Sequence, residues 1–127
     1  MSKEKKEMLK KVLLIDNDQF NICVTDSFLY ACGFSDVTIA RDSKEALSKF
    51  ANGFDLVLLN VSLKDNLGFE VCKKLRQMPR GKNVPILALA PKGKNMRTRC
   101  FKAGVSSVMS GRTSFNGFKE AIQSVIN

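Results

Sequence analysis

A chain of 127 residues, 44% hydrophobic and 26% charged, has the size and composition of one soluble globular domain. No run approaches the roughly 18 apolar residues of a membrane span. The absence of histidine argues against zinc and haem sites of the usual kinds. The net charge is +9, from 21 Lys and Arg against 12 Asp and Glu, which favours acidic or polyanionic partners.

The N-terminal stretch MSKEKKEMLKK is charged and lacks the apolar segment of a secretion signal. It reads as a lead-in over residues 1–10, ahead of a single domain at 11–127. Cys23, Cys32, Cys72 and Cys100 show no paired short spacing. They predict reduced, mostly buried thiols and a cytoplasmic location.

Val12 to Ile15 predicts a short strand running into Asp16-Asn17-Asp18. The first helix is expected to turn Phe20, Val24, Ser27, Phe28 and Ala31 inward, with Gly33 closing it. Val37 to Ala40 is a brief second strand. Asp42 and Glu45 form a capping pair for a second helix, whose apolar face uses Ala46, Leu47 and Phe50. The third strand is Leu56 to Leu59 in DLVLLNVSLKDNLGFE, an apolar run that ends at Asn60. A third helix follows with Phe69, Val71, Cys72 and Leu75, stopping near Met78-Pro79 and Gly81.

Val84 to Ala90, VPILALA, predicts a fourth buried strand. The fourth helix spans about Asn95 to Ala103, with Met96, Cys100 and Phe101 inward and Gly104 at its end. Strand five is Ser106 to Ser110. Ser114 can cap a last helix that buries Phe115, Phe118, Ile122 and Val125. Strands alternating with helices across short connections argue for an α/β, doubly wound parallel sheet covered on both faces. In such a sheet the crevice at the carboxyl ends of the strands takes ligands. Here the third strand delivers an amide to that crevice, and an amide is a poor nucleophile.

KVLLIDND, DLVLLNVSLKDNLGFEVCKKLR, NVPILALA and KAGVSSVMSG, in that order and spacing, resemble the receiver domain of two-component response regulators. The resemblance covers about Lys11 to Ile126 and implies the five-stranded, flavodoxin-like (CheY-like) fold with strand order 2-1-3-4-5. It also implies a site. The two adjacent acids that hold Mg²⁺ in the family fall on Asp16 and Asn17. The phosphoryl-accepting aspartate falls on Asn60, the sensing Ser or Thr on Ala90, and the lysine after strand five on Gly111. The aromatic that swings with the switch falls on Val108. The resemblance therefore implies a degenerate receiver, a pseudo-receiver.

A neutral carboxamide does not usefully attack a phosphoryl donor. With Asp16 the only carboxylate left among the three acidic positions, Mg²⁺ binding is expected to be weak at most, and no cofactor is expected. Losing the lysine removes the cation that offsets developing phosphoryl charge. Arg112 is a candidate replacement if the register slips by one residue. Asn17 and Asn60 also fit a plainer role as loop-capping amides. A buried Asp16 without metal predicts an ammonium partner, from Lys64 or Lys92. A nucleotide or flavin site of the flavodoxin kind would need a phosphate-cradling Gly/Ser/Thr loop after strand one, where this chain has Asp16-Asn17-Asp18-Gln19. As an enzyme the chain offers no nucleophile, base and electrophile that converge.

The charge is uneven. From Val71 to Lys119 there are twelve Lys and Arg and no acid, whereas residues 1–70 hold nine bases and eleven acids. The resemblance implies an output face of helix four, strand five and helix five, which is cationic here through Lys92, Lys94, Arg97, Arg99, Lys102, Arg112 and Lys119. Symmetric pairing through that face would oppose like charges, so a monomer or weak dimer is expected. The expected function is a phosphorylation-independent docking module for an acidic protein. Two alternatives stand beside it. One is a phosphorelay receiver with an unusual acceptor; the other is an electrostatic binder of nucleic acid or anionic membrane. A solvated basic surface that only keeps the domain soluble is the plainest account of the same charges.

Overall fold

The apolar runs at 12–15, 56–59 and 86–90 become strands buried on both faces, as in a parallel sheet covered by helices, while the runs at 36–40 and 107–110 are only partly buried. The computed structural model describes residues 10–63, 68–111 and 113–126. The elements are β1 Lys11–Ile15, α1 Gln19–Ala31, β2 Asp36–Ala40, α2 Ser43–Phe50 and β3 Leu56–Asn60. They continue with α3 Gly68–Gln77, β4 Ile86–Ala90, α4 Met96–Ala103, β5 Ser107–Ser110 and α5 Phe115–Ile126. The strands form one parallel sheet in the order β2-β1-β3-β4-β5. This is the expected doubly wound arrangement.

Alternate strand residues feed two cores, as the period of two in a strand requires. Leu13, Ile15, Val57, Leu59, Ile86 and Ala88 pack with Phe50, Cys72, Leu75 and Cys100 beneath α2, α3 and α4. Val12, Leu14, Leu56, Leu58 and Leu87 pack with Ile22, Leu29, Phe118 and Ile122 beneath α1 and α5. Phe28 joins the second core edge-on to Phe115, with ring centroids 5.4 Å apart. Each fully buried Leu or Phe contributes about 1.5–3 kcal/mol relative to exposure.

Local chemistry sets the ends. Asp18 and Asp42 cap α1 and α2, their carboxylates accepting from the backbone N–H of Asn21 (3.0 Å) and Glu45 (2.8 Å). Glu45 Oε1 accepts from the N–H of Arg41, the residue before the cap, at 3.2 Å. Gly33, at φ 99°, ends α1 in the left-handed conformation that glycine adopts without strain. Ser114 Oγ accepts from Gly117 N–H at 3.2 Å at the start of α5. β4 begins at Ile86 rather than Val84, since Pro85 has no N–H to give the ladder. β5 begins at Ser107 rather than Ser106; the Ser106 hydroxyl instead accepts from Ile86 N–H at 3.0 Å.

Two inward faces differ from expectation. In α1 the buried residues are Ile22, Thr25 and Leu29, while Phe20 (63% exposed) and Val24 (37%) face solvent with Ser27 and Ala31. The helix carries two stripes of comparable spacing, and the one containing a threonine is buried. In α4, Phe101 is 45% exposed rather than inward, and the Arg97 guanidinium lies over its ring at 5.7 Å.

Arg76 on α3 ties two connections together, α3–β4 and α4–β5. Its Nε donates to Gly104 O at 2.8 Å, and Nη1 donates to Gly81 O (2.9 Å) and Val84 O (2.6 Å). Its Nη2 donates to Ser106 Oγ at 3.3 Å. The Arg76 pKa is lowered, chiefly by burial, with nearby Cys72 working the other way. No helix among the described residues is long and apolar enough to cross a membrane.

Candidate functional site

The parallel sheet brings the carboxyl ends of β1, β3, β4 and β5 to one rim. Asp16 follows β1, Asn60 ends β3, Ala90 ends β4, and Gly111 follows β5. Asp16 is fully buried, and its N–H donates to Ala40 O at 3.0 Å. Its Oδ1 accepts twice, from Asp18 N–H at 2.9 Å and from Asn60 Nδ2 at 3.1 Å. Its Oδ2 is buried and has no hydrogen-bond partner among the described residues.

Asn60 is held at both ends of its amide. While Nδ2 donates to Asp16, Oδ1 accepts from Ser62 N–H at 2.9 Å, closing a turn over two residues. That pairing fixes which end is oxygen and which is nitrogen. A donor therefore points from β3 at the carboxylate of β1. A second carboxylate in that place would set two like charges about 3 Å apart, which needs a bound cation or proton. Asn60 thus satisfies one lobe of Asp16 without a metal.

At the positions of Ala90 and Gly111 the side chain offers neither a hydroxyl nor an ammonium. Ala90 is buried and offers only its carbonyl, which accepts from Gly111 N–H at 2.7 Å. Gly111 has φ +69°, and a Cβ built there would lie 3.1 Å from Lys92 Cε. A lysine side chain at 111 would meet both backbone strain and the Lys92 stem. Val108 is buried, and its carbonyl accepts from Arg97 Nη1 at 3.3 Å. Asn17 is half-buried beside Asp16. Lys92 is exposed, and the ion pairs among the described residues do not include it. Lys64 and Arg112 lie outside the described residues.

Lys92, Lys94, Arg97, Arg99, Lys102 and Lys119 are all exposed. The cations of α4 diverge. Arg97 leans toward β5, whereas Arg99 stacks on Phe69 of α3 with its guanidinium 4.6 Å from the ring centroid. Such stacking holds a guanidinium flat and leaves its edge for a carboxylate. Asn95 precedes α4 in the left-handed conformation (φ 66°) and provides no side-chain cap. The sequence reading missed the exposed Phe101 and the part played by Phe69; only the i, i+4 spacing of Arg97 and Phe101 signalled the first.

None of the four cysteines is in a disulfide. Cys72 and Cys100 are buried, Cys32 is half-buried and Cys23 is exposed, so burial is less general than expected. Burial pushes the Cys72 thiol up to about 11, with Arg76 opposing the rise and Cys100 adding to it. Cys100 is raised by burial also, against the pull of Arg99 and Arg97. Both are poor nucleophiles at neutral pH.

Comparison with known proteins places this geometry. The aerobic respiration control sensor protein ArcB of Escherichia coli is 34% identical over 101 residues, covering 78% of this chain and 13% of that protein. The chain thus spans a small part of that relative. A crystal structure of a response regulator from Chloroflexus aurantiacus superposes with a TM-score of 0.86 at 24% identity, covering 92% of this chain and 97% of the other. The receiver domain of a sensor histidine kinase from Pseudomonas aeruginosa, solved with a magnesium ion in its active-site cleft, gives 0.81 at 22% identity, covering 92% and 97%. The family model for the response regulator receiver domain matches residues 12–123. With that match along nearly the whole sheet and its helices, the chain belongs to the response regulator receiver domain family.

Proposed function

We propose that this receiver domain works without an aspartyl-phosphate switch, as a non-enzymatic docking module in the cytoplasm. The observation that carries the reading is the Asn60 amide, whose Nδ2 donates to Asp16 Oδ1 at 3.1 Å. On the correspondence drawn from the sequence, Asn60 takes the acceptor's place. A carboxamide there forms no acyl phosphate. The same amide weakens the case for Mg²⁺. Hard divalent ions need oxygen lone pairs with charge, and Asn60 turns an N–H toward the only carboxylate of the set while its oxygen is engaged by Ser62. Among the described residues, Asp16 Oδ2 is the buried carboxylate oxygen left unengaged. A tightly held divalent ion does not fit these residues.

Further support comes from Ala90, which has no hydroxyl, and from Gly111, whose φ of +69° disfavours a side chain. The docking surface is the cationic side of α4, with Lys92, Lys94, Arg97, Arg99 and Lys102, extended by Lys119 of α5. Its partner is an acidic protein, because the stretch from Val71 to Lys119 has no acid of its own. Four cysteines without a disulfide, one of them exposed, suit a reducing compartment.

Incubation with a small acyl phosphate and Mg²⁺, followed by intact mass, tests the first half. The expected result is unchanged mass; a stable gain of one phosphoryl group (about 80 Da) overturns the reading in favour of a phosphorelay receiver with another acceptor. A second reading rests on the same cations: a polyanion such as nucleic acid or anionic lipid occupies the face. Its mark is duplex DNA or anionic-vesicle binding that outcompetes an acidic peptide and falls steeply with salt.

A further inference from the structure

The outward side of α1 carries a single charge, Asp26, and is otherwise neutral. Phe20, Val24 and Tyr30 (74% exposed) run along it, with Cys23, Ser27 and Ala31 between them. Single exposed apolar residues are ordinary, but a stripe along a whole surface helix marks an interaction face. The surroundings of the stripe are acidic. Between Lys11 and Arg41 there is no Lys or Arg, while Asp18, Asp26 and Asp36 are all exposed. The α4 surface has the opposite pattern, with exposed Phe101 set among Arg97, Lys102 and Lys94 and no acid. The sheet itself separates the two regions, since α1 packs on one of its faces and α4 on the other.

We propose that the α1 stripe is an interface and that its occupant is the α4 surface of a second copy, in a head-to-tail contact. Aromatics meet aromatics, and Asp18 and Asp26 meet arginine and lysine. Pairing α4 with α4 sets cations against cations, and pairing α1 with α1 leaves its acids unmatched; only the head-to-tail arrangement answers both patches. Such a contact is heterologous, so each dimer keeps one free α1 and one free α4 surface and grows further unless the rotation closes a ring. The 13-residue α1 spans about 20 Å. Its stripe is therefore smaller than the ~800 Å² per partner of a stable interface, and association is weak and concentration-dependent. The inference shares the α4 surface with the docking function above and rests on that reading.

Sedimentation of the full chain tests it with two variants whose folds are checked by circular dichroism. One is Phe20→Ser/Val24→Ser/Tyr30→Ser; the other is Arg97→Ser/Phe101→Ser/Lys102→Ser. The wild type is expected to gain mass with concentration and each variant to stay monomeric. An equimolar mixture of the two variants should form a dimer that grows no further, because one supplies α4 and the other α1. A separate substitution, Asp26→Lys, leaves the stripe intact and should weaken wild-type association severalfold. A monomeric wild type, a monomeric mixture, or association that survives in the α4 variant overturns the proposal. Binding of a labelled oligoglutamate keeps the two readings apart. If it binds the wild type and the α1 variant but not the α4 variant, the docking face stands whatever sedimentation reports; if it binds none, that reading fails first.

Discussion

Asn60 and Asp16 lie 44 residues apart in sequence and 3.1 Å apart across the rim, joined through an amide hydrogen and a carboxylate oxygen. Replacing Asn60 by Asp removes that donor and adds a second negative charge. Without divalent cations, Asn60→Asp is expected to lose about 1–3 kcal/mol of stability. Added Mg²⁺ should then raise its melting temperature while leaving the wild type unchanged; equal responses in both would show that the amide does not stand in for a cation. Cys72 gives a second residue-scale expectation. Its thiol titrates near 11 when folded, against an ordinary value near 9, so the neutral form is the one the fold favours. Stability from this group is intact below about pH 9 and is lost as pH rises toward 11, by roughly 3 kcal/mol in total. Denaturation midpoints across that window, compared with Cys72→Ala, isolate the contribution. At neutral pH a disulfide exchange reagent should modify exposed Cys23 first and Cys72 last.

At the scale of elements, the strands and caps were legible and the helix faces only partly so. VPILALA announces a strand by its apolar run, and Asp42 with Glu45 announces a helix start by the acceptors they provide. In α1 periodicity failed, because Phe20, Val24, Ser27 and Ala31 recur as regularly as Ile22, Thr25 and Leu29. Which stripe is buried depends on where the sheet lies, which local spacing does not encode. Asn60 at the crevice followed from the apolar run it ends and the other rim positions from the family resemblance, whereas the Asp16–Asn60 bond and the unmatched Oδ2 required three dimensions. The Arg76 clamp was equally invisible, since its partners are the carbonyls of Gly81, Val84 and Gly104. Arg76→Met keeps much of the stem but strands these acceptors. It is expected to cost about 2–4 kcal/mol, and faster hydrogen exchange should follow at the α4–β5 connection. Uniform destabilisation without local exchange would assign Arg76 a packing role alone.

Across the whole molecule, sheet order converts a bias along the sequence into a bias in space. The acid-rich first half builds β2, β1 and β3, while the acid-free stretch from Val71 to Lys119 builds β4, β5 and the helices beside them. Affinity for an acidic partner should fall as NaCl rises from ~0.05 to ~0.5 M, and most of the change should appear in the association rate. Flat salt dependence would move the contact off the cationic face. The bond between Asp16 and Asn60 has a consequence of another kind. A phosphorylated pocket carries a lifetime, because hydrolysis returns it to rest, and a cell reads that interval as a signal. A neutral amide holding its neighbour has no such clock. On the proposed reading, the information this domain conveys lies in its copy number and its place in the cell.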